Sequence, residues 1–132
     1  MSTTTPTMVK RVLVASTSNA AGGTTRGTLD LRGKCGGFLT LRMSNGGSAP
    51  TLQCLANVLI SHSEGATPTA ASDGADWYRI AQFGGTITAS QVTPVGIDIP
   101  PCQHLEVEFT GNTGQPVTVV AEFTEYSNWA TT

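Results

Sequence analysis

Apolar and polar positions alternate with a period of two in short runs along most of this chain, the pattern of half-buried strands. Segment 9–16 puts Val12 and Val14 on one face. In 28–32, Leu29 and Leu31 oppose Thr28, Asp30 and Arg32. In 38–43, Leu39, Leu41 and Met43 oppose Phe38, Thr40 and Arg42. Segment 52–61 places Leu52, Cys54, Ala56, Val58 and Ile60 on one side and Leu55 and Leu59 on the other, which predicts a strand covered on both faces. Segments 77–83 and 86–88 follow. Val95, Ile97 and Ile99 are in phase in 95–99. In 105–110, Leu105, Val107 and Phe109 point inward, and Glu106 and Glu108 outward. In 117–126, Val117, Val119, Ala121 and Phe123 point inward, and Glu122 and Thr124 outward.

The separators carry turn chemistry: Gly22-Gly23, Gly33, Gly36-Gly37, Asn45-Gly46-Gly47, Asp73-Gly74, Gly84-Gly85, Pro100-Pro101 and Gly111-Asn112-Thr113-Gly114. The last lies between two clean alternating runs and predicts a hairpin. No segment sustains a helical period. Residues 65–75, broken by Pro68, Asp73 and Gly74, read as a long loop of the kind that more often carries function than not. These features predict an all-β, single-domain, jelly-roll-like β-sandwich of about eight short antiparallel strands. An immunoglobulin-like sandwich fits less well, because a Cys-Trp-Cys pattern on Cys54, Trp77 and Cys102 presumes an oxidising compartment. The expected organisation is a polar N-terminal arm, 1–8, a sandwich domain, 9–126, and a C-terminal tail, 127–132.

A length of 132 residues bounds the chain to one domain, long enough to bury a core without staples. Charged residues make up 12%, about half the usual ~25%, and Thr, Ser, Gly and Asn replace them. That composition suits many turns. It also suits a surface covered by neighbours, where unpaired charge is costly to desolvate. The net charge is -2, and seven Lys and Arg are too few and too scattered for a nucleic-acid footprint. Lys10, Arg11, Arg26, Arg32, Lys34 and Arg42 fall in the first third, either as solvated strand faces or as an end that docks on an acidic partner. Cys35, Cys54 and Cys102 are odd in number and lack Cys-x-x-Cys spacing, so neither a disulfide framework nor a zinc site is expected. Cys54 is expected to pack as a small apolar residue. The apolar run from Val12 to Ala15 is too short for the core of a signal peptide, and no run reaches the length of a membrane span. The expectation is folding in a reducing cytoplasm with free thiols.

Candidate chemistry is thin. His62 and His104 end different strands with no carboxylate at a motif-like spacing, and no Gly-x-Ser-x-Gly elbow accompanies the serines. Both histidines read as polar strand ends. Asp73 and Asp76 flank a glycine turn but fit no calcium-loop template. Gly22-Gly23 and Gly84-Gly85 open no helix with a Lys-Ser/Thr signature. Glu106 and Glu108 share one strand face, whereas glycosidase carboxyls oppose each other across a cleft, so this pair is expected to face solvent or a partner. No catalytic residue, cofactor or metal is expected.

The aromatics are more informative. Trp77-Tyr78 opens a strand beside the long loop and, with that loop, is the set of residues best suited to stacking a sugar. Tyr126 and Trp129 lie at the C-terminal end. Trp129 either anchors the tail on its own domain, inserts into a neighbouring subunit, or joins a sugar-stacking platform.

Several stretches together resemble a known group of proteins. They are the polar Thr/Ser/Pro arm, the strand Val12-Leu13-Val14, the runs Arg26-Gly27-Thr28-Leu29-Asp30-Leu31 and Gly37-Phe38-Leu39-Thr40-Leu41-Arg42, and the closing Val117-Thr118-Val119-Val120-Ala121-Glu122-Phe123. The pattern resembles the small β-sandwich structural proteins of tailed bacteriophage particles, above all the capsid decoration or cement proteins. It covers most of the chain in style and topology and carries no diagnostic motif. The resemblance implies a protein made in the host bacterial cytoplasm. That protein forms a homo-oligomer, a dimer or trimer, and binds the major capsid protein on the exterior of an assembled virion, with no nucleic-acid or membrane partner. Repeated small interfaces would then sum through multivalency, and an arm containing Thr4, Thr5 and Pro6 is suited to adding a strand to a neighbour's sheet edge. A receptor- or glycan-binding module of a fibre or tail is the second expectation, because the same fold serves both roles. An enzyme is the least supported.

Overall fold

The computed structural model describes residues 4–63 and 76–131. Eight strands follow in chain order: β1 (Thr4–Asn19), β2 (Thr25–Asp30), β3 (Gly37–Asn45), β4 (Leu55–Ser61), β5 (Tyr78–Gly84), β6 (Val92–Ile99), β7 (His104–Thr110) and β8 (Val117–Thr131). They form two four-stranded sheets, ordered β1-β8-β3-β6 and β2-β7-β4-β5, with antiparallel neighbours throughout. Every connection crosses from one sheet to the other except that from β4 to β5. This is the strand order of a jelly roll, and the expected all-β sandwich is found.

The inward members of the alternating runs meet between the sheets. Leu39, Leu41 and Met43 of β3 and Val117, Val119, Ala121 and Phe123 of β8 face Ala56 and Val58 of β4 and Leu105, Val107 and Phe109 of β7. Burial alternates residue by residue along β3. Cys54 packs in this core, and burial pushes its thiol up to about 11, far from a reactive thiolate. At Gly27 of β2 the two sheets touch backbone to backbone, since a Cβ there would run into the Leu13 carbonyl of β1.

Four features differ from the sequence reading. First, the first and last strands run on into the segments expected as arm and tail, so that residues 4–8 and 127–131 are extended strand. They pair with each other from Thr4 opposite Thr131 to Thr7 opposite Asn128. Neither polar segment has an apolar period of its own, and each finds its partner only because the sandwich brings the two ends together. Second, 86–88 is a bend. The Asn45 side-chain amide donates to the carbonyls of Thr86 at 2.8 Å and Thr88 at 2.9 Å, which satisfies groups that a strand partner would otherwise take.

Third, Gly111 to Gly114 is an arch between sheets, not a hairpin, because β7 and β8 lie in different sheets. The buried Asn112 amide shapes it, donating to the carbonyls of Asn19 and Gln115 at 3.1 and 3.0 Å and accepting from Asn19 Nδ2 at 2.6 Å. Fourth, Glu106 and Glu108 leave the core face as the alternation predicts, yet neither meets solvent, being 0% and 4% exposed. Leu59 and Ser61 on the same face of β4 are equally buried, so the central strands β4 and β7 are buried on both faces, while Arg26 of β2 and Gln82 of β5 stay exposed.

The backbone contact at Gly27 yields a direct test. A methyl group there meets a main-chain carbonyl, which no rotamer change relieves, so Gly27→Ala is expected to destabilise the domain by about 2–3 kcal/mol. Urea unfolding measures this, and an unchanged midpoint contradicts the packing described.

Candidate functional site

The two outer faces of the sandwich differ. On sheet β2-β7-β4-β5, register places Arg26, Glu108, Asn57 and Gln82 in one row across all four strands. Arg26 Nη2 lies 2.8 Å from Glu108 Oε2, Asn57 Nδ2 donates to Glu108 Oε1 at 3.0 Å, and Gln82 Nε2 donates to Asn57 Oδ1 at 2.8 Å. The next rows hold Thr28 opposite Glu106, then Asp30 opposite His104 opposite Ser61. Thr28 Oγ1 donates to Glu106 Oε1 at 3.4 Å. His104 opens β7, a strand end as the sequence suggests, and is fully buried there. Glu106, Glu108, Asn57 and His104 are buried, whereas Arg26 and Gln82 at the two ends of the first row are exposed, and among the described residues both His104 ring nitrogens and Glu106 Oε2 have no hydrogen-bond partner.

The outer face of sheet β1-β8-β3-β6 is open. Here the outward residues of β3 are Phe38, Thr40 and Arg42. Thr40 lies between Gly96 of β6 and Glu122 of β8, and Arg42 between Pro94 and Val120. Thr40, Arg42, Pro94, Gly96, Val120 and Glu122, with Leu41 and Val95, line a groove of about 430 Å³, inside the roughly 300–1,000 Å³ range of small-ligand sites. Phe38 is 39% exposed. Its ring reaches diagonally across β6 and lies over Gly96, where a Cβ would come within 2.9 Å of Phe38 Cζ. An aromatic ring filling the space above a strand glycine is a stable cross-strand arrangement. Glu122 pairs with Lys10 at 3.0 Å, and Thr40 Oγ1 approaches the Glu122 carbonyl at 3.5 Å. One open face therefore presents an aromatic surface, hydroxyl and carboxylate groups, and a guanidinium.

The residues singled out from sequence lie elsewhere. Trp77 is 2% exposed and outside the main core cluster. Tyr78, 55% exposed, opens β5 with its ring 5.6 Å from that of His62 at 44°. Near it, Gly33, Lys34, His62, Pro101 and Gln103 border a second depression of about 320 Å³. Tyr126 stands opposite Met8 and is half-buried, and its backbone bonds Cys35 and Gly36 at the sheet's end. Thr4, Thr5 and Pro6 pair with Thr131, Ala130 and Trp129. The structure thus gathers Pro6 and Trp129 in one ribbon and leaves Trp77 and Tyr78 on the other sheet. Asp73 and the loop 65–75 lie outside the described residues. Among the described residues, no three His, Cys, Asp or Glu side chains converge as metal ligands, and no helix is long and apolar enough to cross a membrane. The groove was readable in part: Phe38 is an aromatic at an outward position of an alternating strand, and Gly96 interrupts another.

No protein-family model matches the chain, and no curated protein matches it by sequence. Among solved structures it is similar to a family 16 carbohydrate-binding module (11% identity, TM-score 0.44, covering 89% of this chain and 75% of that one). It is similar to a chain in the structure of the infectious bursal disease virus Gx strain (15%, 0.49, 91% and 32%). It is also similar to the enzymatically active domain of bacteriophage CBA120 tailspike protein 4 (11%, 0.47, 94% and 19%). The chain spans about a third and a fifth of the length of the two viral chains. At these identities and superpositions the likeness is to a β-sandwich, and no ligand or activity comes with it.

The buried carboxyl of Glu106 predicts a pH response. Burial pushes the Glu106 carboxyl above its ordinary value; Arg26 opposes this, Glu108 adds to it, and the Thr28 hydrogen bond opposes it. A raised carboxyl pKa means that the folded state keeps the proton to higher pH than the unfolded chain. Glu106 therefore supports folding below the ordinary carboxylate pKa and loses that contribution as pH rises through its folded value. Glu106→Gln keeps the shape and the Thr28 acceptor. It is expected to raise the melting temperature at pH 7 and to match the wild type near about pH 3. A fall at pH 7 contradicts the assignment.

Proposed function

We propose that this chain is a glycan-binding β-sandwich module, such as the receptor-reading part of a phage fibre or tail, with its site in the groove on the outer face of β1-β8-β3-β6. The observation that carries this reading is the exposed Phe38 ring laid over Gly96, a glycine that lines the groove with Thr40, Arg42 and Glu122. A saccharide offers an apolar C–H face and a rim of hydroxyls. Sites for such ligands combine an apolar surface with a few placed polar groups, and this groove supplies both. The strand edges support a role for the face rather than for edge pairing. Edge strand β1 carries Lys10, Arg11 and three register shifts, and edge strand β6 carries Pro94, devices that discourage strand addition.

A second reading is the capsid-decoration role, in which the chain forms a homo-oligomer and binds the major capsid protein on the virion exterior. It is supported by the ribbon formed by residues 4–8 and 126–131, which runs on past the last β3–β8 pair at Gly37 opposite Glu125. Met8 and Val12 on β1 are 62% and 53% exposed. A two-stranded ribbon is marginal by itself, and a partner would stabilise it.

A glycan array separates the readings. The expected result is binding to a restricted set of saccharides, reduced at least tenfold by Phe38→Ala and weakened by Gly96→Ala, which must displace the ring, with little change in melting temperature. Silence across the array, together with co-sedimentation with empty capsid shells, would favour the second reading. Loss through Tyr78→Ala with Phe38→Ala inert would move the site to the His62 depression.

A further inference from the structure

The basic residues of the first third are largely spoken for. Lys10 pairs with Glu122 at 3.0 Å, Arg11 with Glu125 at 3.4 Å, Arg26 with Glu108 at 2.8 Å and Arg32 with Asp30 at 2.6 Å. Arg42 is exposed and, among the described residues, has no ion-pair or hydrogen-bond partner. It stands on the central strand of its sheet, between Pro94 and Val120, which can neither accept its hydrogen bonds by side chain nor neutralise it. The carboxylate lining the groove, Glu122, is committed to Lys10 on the far side from β3, and the exposed Asp98 of β6 stands opposite Phe38, two same-face pairs along the strands from Arg42. The groove thus holds one uncompensated cation, with its apolar neighbours lowering the local dielectric and strengthening any pairing there.

From this placement, and resting on the glycan-binding reading above, we infer that the groove takes an acidic saccharide whose carboxylate pairs with the Arg42 guanidinium while the sugar ring lies against Phe38. The guanidinium is planar and presents its N–H donors as a fork that matches a carboxylate two to two, which a lysine cannot do. Thr40 and the Lys10-bound Glu122 remain as a hydroxyl and an acceptor for the sugar's own hydroxyls. The contact is solvent-facing, so affinity falls with added salt.

The test uses the full chain on an array carrying neutral, carboxylated and sulfated saccharides, followed by calorimetric titration with tetragalacturonate and its methyl ester. Binding is expected for carboxylated saccharides, at least tenfold weaker for the ester, lost in Arg42→Gln and partly kept in Arg42→Lys, with all variants melting as wild type does. Equal binding of acid and ester, or neutral saccharides bound through Phe38 with Arg42→Gln without effect, overturns the acidic class and leaves glycan binding standing. Preference for sulfated saccharides overturns the carboxylate assignment. Silence on the whole array overturns both.

Discussion

The register of β3 between β8 and β6 is the constraint on which the rest of this molecule depends. With Leu39, Leu41 and Met43 held in the core, Phe38, Thr40 and Arg42 have to stand on the opposite face. A slip of one residue would exchange the two sets, putting a guanidinium and a hydroxyl between the sheets and three large apolar groups in water. The hydrophobic term that folds the domain is therefore the same term that aims the groove. That is how a surface of short, common side chains is held in a single arrangement without any covalent or metal clamp among the described residues.

The two outer faces divide the work. On β2-β7-β4-β5 the carboxylates are buried, with Glu108 held by Arg26 and Asn57 and Glu106 by Thr28. Burying such groups is costly unless they are bonded; the strand-crossing row bonds Glu108, while among the described residues Glu106 Oε2 and both His104 nitrogens are left without a hydrogen bond. On β1-β8-β3-β6 the outward groups stay in reach of solvent, and the cation at Arg42 is left uncompensated. The exposed, uncommitted groups of the second face are why the ligand site is proposed there.

Much of the fold was legible from alternation alone, because inward positions such as Leu105, Val107 and Phe109 obey the period that the sheet imposes. What alternation cannot report is who sits across from whom. Gly111 to Gly114 has the composition of a hairpin, and only the Asn19–Asn112 contacts reveal an arch between sheets. Glu106 looks solvated in sequence and is fully buried. Residues 4–8 look unstructured until their partner, more than a hundred residues on, is in place. The groove was only partly legible for the same reason. Trp77 and Tyr78 are neighbours in sequence, whereas Phe38, Gly96 and Glu122 come together only through the β8-β3-β6 register.

Ligand binding at the groove of β3, β6 and β8 is open to one decisive measurement: backbone amide shifts of the isotopically labelled chain, followed by NMR while an array-selected saccharide is titrated in. The perturbed amides are expected to cluster at Phe38 to Arg42, Val95-Gly96 and Val120 to Glu122. Perturbations gathered at His62 and Tyr78, or along the terminal ribbon with the groove silent, would contradict it.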